Sequence, residues 1–394
     1  MPRRRFGRRG RRKIGVNLLW MVPGVVGGSE DYVVGLFRAF ADAPGRDGLE
    51  VTLFVNKRFA EAHPDLASAY RTVVAPVDGG KKAFRVLAES TWLAFASKRA
   101  GVQLMHHPGG TMPEVRTAPG IVTMHDLQPW AYPENFSRVK RAYLHAVVGR
   151  SVRHARTVTT LSSWVGRDLV SRLNADPAKI TVIPPGVHPV TVAYDSHDRY
   201  VLEQYGLTGP FFLYPAITYV HKNHSVLIEA FASVVARHPD ARLMLCGGPG
   251  PIEDEVLGRI RRLGLTRSVL RPGRIPLADL EALYRHATAL TFPSRYEGFG
   301  MPVLESMTHG RAVLASDICA MPEVVGEGGI LLDPDDPVVW AEEMDRLLTK
   351  HKHLTELERR SKQRGADFDW KRAAEQLAVT YRGRPVSTLL EGSL

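Results

Sequence analysis

Residues 289–306 read ALTFPSRYEGFGMPVLES. Four apolar or β-branched residues, Ala289–Phe292, are followed by a loop through Gly298 and Gly300, and Pro302 then opens an amphipathic segment, Pro302–His309. A short buried strand, a glycine loop and a helix whose first turn carries proline form one βα unit, because proline's missing N–H costs nothing at a helix start. Such a loop turns several backbone N–H groups toward the positive end of the helix, a site suited to a diphosphate. Glu297 stands before the loop and Glu305 one turn inside the helix. Carboxylates accept paired hydrogen bonds from vicinal hydroxyls, so two of them beside a phosphate cradle suit a ribose and a sugar.

Outward from this unit the same alternation recurs. Toward the C-terminus, strands are predicted at Phe211–Pro215, Arg242–Cys246, Val269–Arg271, Ala312–Ala315 and Gly329–Leu332, with helices at Ser225–Arg237, Ile252–Leu263 and Leu277–Ala287. Two terminal helices, Val338–Lys350 and Trp370–Arg382, close the chain. Toward the N-terminus, strands are predicted at Ile14–Met21, Val51–Val55, Thr72–Ala75, Leu104–His106, Ile121–Met124, Thr157–Thr160 and Ile180–Ile183. Helices are predicted there at Ser29–Ala41, Lys82–Ala100, Arg138–His154 and Ser163–Leu173. The alternation is that of parallel α/β architecture. The polar stretch His188–Asp198 separates two such sets and reads as a linker. The fold class expected is therefore α/β with two Rossmann-like domains, 14–190 and 200–366, facing each other across a cleft, preceded by a disordered basic tail (1–13) and followed by a C-terminal helical segment (367–394) that crosses back to the first domain.

Composition agrees with a soluble globular chain: 394 residues, 44% hydrophobic and 24% charged. The +11 net charge is uneven, with 28 Lys+Arg against 14 Asp+Glu in residues 1–185 and 24 against 27 in the remainder. Eight of those positive charges fall in residues 3–13. This asymmetry points either to an anionic partner for the first half or simply to a basic tail. The start MPRRRFGRRGRRKIGVNLLW resembles a signal peptide in its charge, but Asn17 and Pro23 interrupt the apolar run, and no 18-residue apolar segment exists to span a membrane. Cys246 and Cys319 have no CxxC or Cys/His neighbourhood, which leaves two buried thiols of a reducing cytoplasm and no zinc site. No DxD-like pair lies beside the glycine loop, so neither a metal nor any other cofactor is implied.

The Glu-x7-Glu spacing within YEGFGMPVLES resembles the signature of retaining GT-B glycosyltransferases, in particular glycosyltransferase family four. Matching pieces occur in order: GVVGGSEDYVVGL (24–36), VTMHDLQPWAYPENF (122–136), KITVIPPGV (179–187), LYPAITYVHKNHSVLIEAFA (213–232), LMLCGGPG (243–250) and DFDWKRAAEQLAVTYR (367–382). The resemblance implies that Glu305 holds the donor ribose, Glu297 the hydroxyls of the transferred sugar, and the turn Gly298, Phe299, Gly300 and Met301 the diphosphate through its amides. It assigns neutralisation of the leaving group to Lys222, and contact with the donor phosphates to Gly27 and Gly28. His125 is placed against the sugar or acceptor, and Pro272–Ile275, including Arg274 and Ile275, along the nucleobase pocket. Many members pair the lysine with an arginine several residues upstream. Here that stretch reads PAITYVHK (215–222) without arginine, leaving His221 or Arg274 as the supplement.

The function implied is transfer of a hexose, with GDP-mannose among the candidate donors, to a glycan or lipid-linked acceptor in the assembly of a surface polysaccharide or glycolipid. The nucleotide sugar is the substrate, no nucleic acid is expected as partner, and the location implied is the cytoplasm. The arginines and lysine of Arg138–Arg156 are either a solvated face or a contact with an anionic membrane at its inner surface. The rivals are a GT-B epimerase, a phosphorylase, for which no pyridoxal-binding lysine is evident, and a non-enzymatic basic nucleic-acid-binding protein, which leaves Glu297 and Glu305 without a purpose.

Overall fold

The computed structural model describes residues 11–25, 27–187 and 195–383. The chain divides into two compact units: Met1–Gly186 with Asp369–Leu394, and Val187–Phe368. The first ten residues of the expected basic tail, and most of the expected linker, lie outside the described residues.

The first unit is built on seven parallel strands: β1 (Arg12–Leu18), β2 (Leu49–Val55), β3 (Arg71–Val74), β4 (Leu104–His107), β5 (Gly120–Met124), β6 (Thr157–Thr160) and β7 (Ile180–Val182). They are ordered β3-β2-β1-β4-β5-β6-β7. The chain therefore builds outward on one side of β1, then crosses back and continues on the other, which is the doubly wound arrangement with its switch point between β1 and β4. The strands are buried runs because helices cover parallel sheets: Ile14, Val16 and Leu18 of β1 are buried, as are Leu53, Phe54 and Val55 of β2. The closing helix Trp370–Tyr381 packs on this unit, where the Tyr381 hydroxyl lies 2.8 Å from His106 Nδ1 and the Tyr381 ring meets Phe40 edge-on at 5.6 Å. Gly186 is required there, since a Cβ would fall 2.0 Å from the Trp370 amide nitrogen.

The second unit has six parallel strands: β8 (Phe211–Pro215), β9 (Arg242–Cys246), β10 (Val269–Gly273), β11 (Ala289–Phe292), β12 (Ala312–Ser316) and β13 (Ile330–Leu332), ordered β10-β9-β8-β11-β12-β13. The switch point lies between β8 and β11, where Leu290 stands opposite Leu213.

The structure corrects several expected boundaries. Arg12 and Lys13 belong to β1 rather than to a tail, and β1 stops at Leu18 because the Asn17 side chain accepts from the Leu19 amide (3.2 Å) and turns the chain. The segment Lys82–Ala100 is two helices, Lys82–Ser90 and Trp92–Arg99, broken at Thr91 (φ −122°, ψ −68°). Asp195–Gln204 is helical rather than linker, and a further helix, His351–Gly365, stands between the two terminal helices expected.

Asp198 shows why residues 195–198 are structured. Its buried carboxylate accepts from Arg285 Nη2 (2.6 Å) and Nε (2.8 Å), and lies 3.0 Å from His286 Nε2. These bonds hold its carboxyl below the usual range. Removing one partner of a buried pair strands the other, so Asp198→Asn is expected to cost about 3 kcal/mol in denaturant unfolding at neutral pH. Because the folded-state pKa is depressed, the contribution is present above the unfolded aspartate pKa and is lost as pH falls through the folded one. The difference between wild type and variant should therefore shrink in acid, and an equal difference at both pH values would refute this assignment.

Candidate functional site

Three loops meet at the carboxyl edge of the second sheet. After β8 the chain runs through Thr218 to a short 3₁₀ turn, Val220–Lys222, and enters the helix His224–Arg237 through Asn223. Asn223 takes the left-handed conformation (φ 55°), which asparagine tolerates better than most residues. Its amide nitrogen donates to the carbonyls of Pro293 (3.2 Å) and Pro334 (2.6 Å), binding the β8 loop to the segments after β11 and β13. Tyr214, buried in β8, donates to the Lys222 carbonyl (2.6 Å) and meets Phe292 edge-on. The Lys222 stem is thereby laid toward β11, with its ammonium 5.7 Å above the Phe292 ring. There Lys222 Nζ donates to Glu297 Oε1 in a half-buried ion pair.

The glycine loop after β11 follows from its sequence. The helix Met301–Thr308 starts one residue before Pro302, and its N-cap Gly300 has φ 92°. A side chain at Gly300 would be strained, and its Cβ would meet Met321 Cε at 2.5 Å. Phe299 is buried edge-to-face on Phe368. The amides of Phe299, Gly300 and Met301 find no acceptor among the described residues, as helix N-termini leave them. Glu305, one turn into the helix, accepts from the Tyr284 hydroxyl through Oε2 (2.7 Å), and Tyr284 stacks on His309. Burial, then the Glu305 charge, push the Tyr284 phenol well above its ordinary value, so it remains a donor.

A second network shapes the neighbouring edge. Arg271 donates to the carbonyls of Leu245 (3.1 Å) and Gly248 (3.1 Å) and to Glu253 (2.9 Å), while Thr218 donates to the same Glu253 oxygen (2.7 Å) and accepts from the Gly250 amide (2.7 Å). Gly247 and Gly250 press on the β8 loop: a Cβ would lie 2.4 Å and 2.5 Å from the carbonyls of Ala216 and Thr218. Gly273 (φ 81°) ends β10 and is followed by exposed Arg274 and half-buried Ile275.

Lys222, Glu297, Gly298, Phe299, Gly300, Met301 and Glu305 are thus brought together on one unit. His221 stacks on Tyr219 and its pKa is lowered to about 4, mainly by burial and then by Lys222, so it is neutral at pH 7 and can donate a hydrogen bond but adds no charge. Tyr284, Asn223 and Arg271 had no signal in the sequence, because each acts through a partner distant along the chain.

His125, Gly27 and Gly28 lie on the first unit. Gly27 (φ 63°) caps the helix Gly28–Ala41, and Glu30 ties the loop by accepting from the Gly24 amide (2.8 Å). His125 follows β5. Its Nε2 bonds the Pro108 carbonyl (2.8 Å), which assigns the proton to Nε2, and burial lowers its pKa. Its ring meets Tyr32 edge-on at 5.6 Å.

Residues 26–190 match the family model described as Glycosyltransferase Family 4, and residues 204–364 match Glycosyl transferases group 1. The chain is 27% identical over 236 residues to the O-antigen chain mannosyltransferase B of Escherichia coli, covering 59% of this chain and 62% of that one. It is 30% identical over 309 residues to the D-inositol 3-phosphate glycosyltransferase of Salinispora tropica, covering 74% of this chain and 60% of that one. The match thus spans less than two thirds of either relative. In fold it is similar to HepE of Anabaena, crystallised with UDP-glucose, with a TM-score of 0.73, 19% identity, and coverage of 94% of this chain and 99% of that one. Two doubly wound units, each matched by one of the two models, together with these relatives identify the chain as a member of the GT-B glycosyltransferases of family four.

Proposed function

We propose that the chain transfers a hexose from a nucleoside-diphosphate sugar to a glycan or lipid-linked glycan, with retention of anomeric configuration, and that the second unit holds the donor. The observation that carries this reading is the convergence of Lys222, Glu297, the Phe299–Met301 amides and Glu305 on one sheet edge. The mannosyltransferase name of the Escherichia coli relative supports mannose as the hexose, and the HepE complex supports UDP-glucose, so a panel of diphosphates decides the base. The nucleotide sugar enters as substrate, and the reading calls for no resident cofactor.

Cleavage of the sugar–phosphate bond leaves positive charge on the sugar, as in glycoside hydrolysis, and negative charge on the departing diphosphate. Stabilising the latter is where preorganised donors act. The Lys222 ammonium has three N–H donors; one is held by Glu297 Oε1, and the others are directed at the leaving phosphate. Glu297 thereby orients the lysine and presents its second oxygen to the sugar hydroxyls. Tyr284 fixes the rotamer of Glu305, which grips the ribose. On the first unit, His125 is neutral with the proton on Nε2, leaving Nδ1 as an acceptor for a hydroxyl, and Gly27 (φ 63°) turns the chain into the helix Gly28–Ala41.

Calorimetric titration with UDP, GDP, ADP and dTDP should give micromolar binding of one of them, lost in Lys222→Ala and weakened in Glu305→Ala; no binding by wild type would remove the donor site. Lys222→Ala should lower transfer by about 10²–10³-fold, a loss of about 3–4 kcal/mol.

Glu297→Gln separates the two roles: it frees the lysine, so diphosphate binding should be retained or tightened while kcat for transfer falls by about 10²-fold. Loss of both together would contradict the division.

Tyr284→Phe removes one hydrogen bond to a carboxylate and should weaken diphosphate binding by about 1–2 kcal/mol, measured by the same titration. An unchanged affinity would show that Glu305 is positioned without it.

A further inference from the structure

Glu89 is a buried carboxylate of the first unit with no part in the donor site. It stands on the helix Lys82–Ser90 one turn from Arg85, whose Nε lies 3.9 Å from Glu89 Oε1. That separation is beyond hydrogen-bond reach. Arg85 Nη1 donates instead to the carbonyl of Trp20 (3.2 Å), in the loop that leaves β1. Burial pushes the Glu89 carboxyl up to about 7 against the pull of Arg85, as for a carboxylate short of donors. Three buried polar atoms of these residues, Arg85 Nε, Glu89 Oε1 and Trp20 Nε1, have no hydrogen-bond partner among the described residues.

Their place in the fold is the carboxyl edge of the first sheet at its switch point, where β1 and β4 send their loops to opposite faces. Trp20 follows β1, and Gly109, in the loop after β4, presses on its ring: a Cβ there would fall 2.6 Å from Trp20 Cγ. The centroid of the Trp20 ring lies 6.4 Å from that of His125, so Arg85 and His125 both touch upon one residue. A pair that served only to fasten the helix would close its hydrogen bonds, because each buried group left unpaired offsets the stability such a pair could add. Here the geometry leaves two donors and one acceptor uncommitted.

We propose that Trp20, Arg85 and Glu89 form a subsite for the hydroxyls of a neutral sugar, the terminal unit of the glycan acceptor, beside His125. The inference rests on the transfer reading and deepens it by naming the chemistry of the acceptor. A sugar hydroxyl both donates and accepts, so adjacent hydroxyls can accept from Arg85 Nε and Trp20 Nε1 and donate to Glu89 Oε1. An indole, apolar on its ring and polar at Nε1, suits a sugar ring, apolar on its C–H face and polar at its rim. The charges of Arg85 and ionised Glu89 cancel, which favours an uncharged ligand. A phosphate would meet the Glu89 carboxylate as a like charge.

The test is saturation-transfer NMR of the full chain with methyl α-mannopyranoside, methyl α-glucopyranoside and mannose 6-phosphate, run beside the diphosphate titration and a melting curve. Wild type should bind a neutral methyl glycoside more tightly than the sugar phosphate. Glu89→Gln keeps the side-chain shape and Trp20→Phe keeps an aromatic ring, and each should weaken glycoside binding by about tenfold, with diphosphate affinity unchanged. If either variant melts below the temperature of measurement, the other decides. Glycoside binding equal in wild type and variants, whatever the melting temperature, would make the pair a structural fastening and overturn the proposal. Tighter binding of mannose 6-phosphate than of either glycoside, or no transfer to either glycoside in wild type, would overturn it as well. Glycoside binding that falls in the variants of a chain that binds no diphosphate would remove the donor site and still support the sugar subsite.

Discussion

Lys222 and Glu297 are separated by 75 positions along the chain and meet only because β8 and β11 are neighbours. The second unit lays β9 and β10 on one side of β8 before the chain crosses to β11 on the other. The loops leaving β8 and β11 then diverge to opposite faces of the sheet and leave a crevice between them, as at any such switch point. Tyr214, Phe292 and Asn223 convert that crevice into a fixed geometry: one holds the Lys222 carbonyl, one supports the ammonium, and one ties the two loops. The loops on which the pair stands are tied by Asn223 and Tyr214 rather than by the pair itself. The fold does not depend on it, whereas the arrangement of cation, carboxylate and free amides does.

The two units treat their charges differently. In the second, arginines are largely absorbed into structure: Arg271 shapes the Gly247–Gly250 turn, Arg285 holds Asp198, and Arg295 is bound to Asp335 (2.7 Å). Lys222 is the cation at the centre of the cluster, and neutral His221 does not compete with it. In the first, the histidines nearest the sheet are buried and uncharged. His106, between Tyr381 and Thr123, and His107 both have their pKa lowered to about 3 by burial, so they fasten the closing helix and the strand without placing charge in the core. Lys82, Lys98, Arg99, Arg138 and Lys140 of that unit instead stand on helix faces turned to solvent.

Much of this was legible in the sequence, because buried parallel strands announce themselves as short apolar runs. The bounds read for β6, β8, β9 and β11 are those observed. What escaped was structure with little apolar signal. HKHLTELERRSKQRG (351–365) is a helix that buries Leu357, Ser361 and Gly365, and DSHDRYVLEQ (195–204) is a helix anchored by the ion pair of Asp198 rather than by an apolar stripe. The break at Thr91 was invisible for the opposite reason: periodicity continues through it, and the local backbone alone interrupts the helix. At the site, the residue types and their order were readable, and so was the glycine needed at position 300. The engagement of Lys222 by Glu297 and of Glu305 by Tyr284 was not, since strand order and side-chain direction decide both.

The β8 and β11 loops of the second unit are proposed to form one diphosphate cradle with Lys222 at its centre. A crystal structure of the chain with its preferred nucleoside diphosphate tests it most directly. Phosphate oxygens are expected on Lys222 Nζ and on the amides of Phe299–Met301, with the ribose hydroxyls on Glu305. A diphosphate bound elsewhere, with Lys222 still paired only to Glu297, would contradict it.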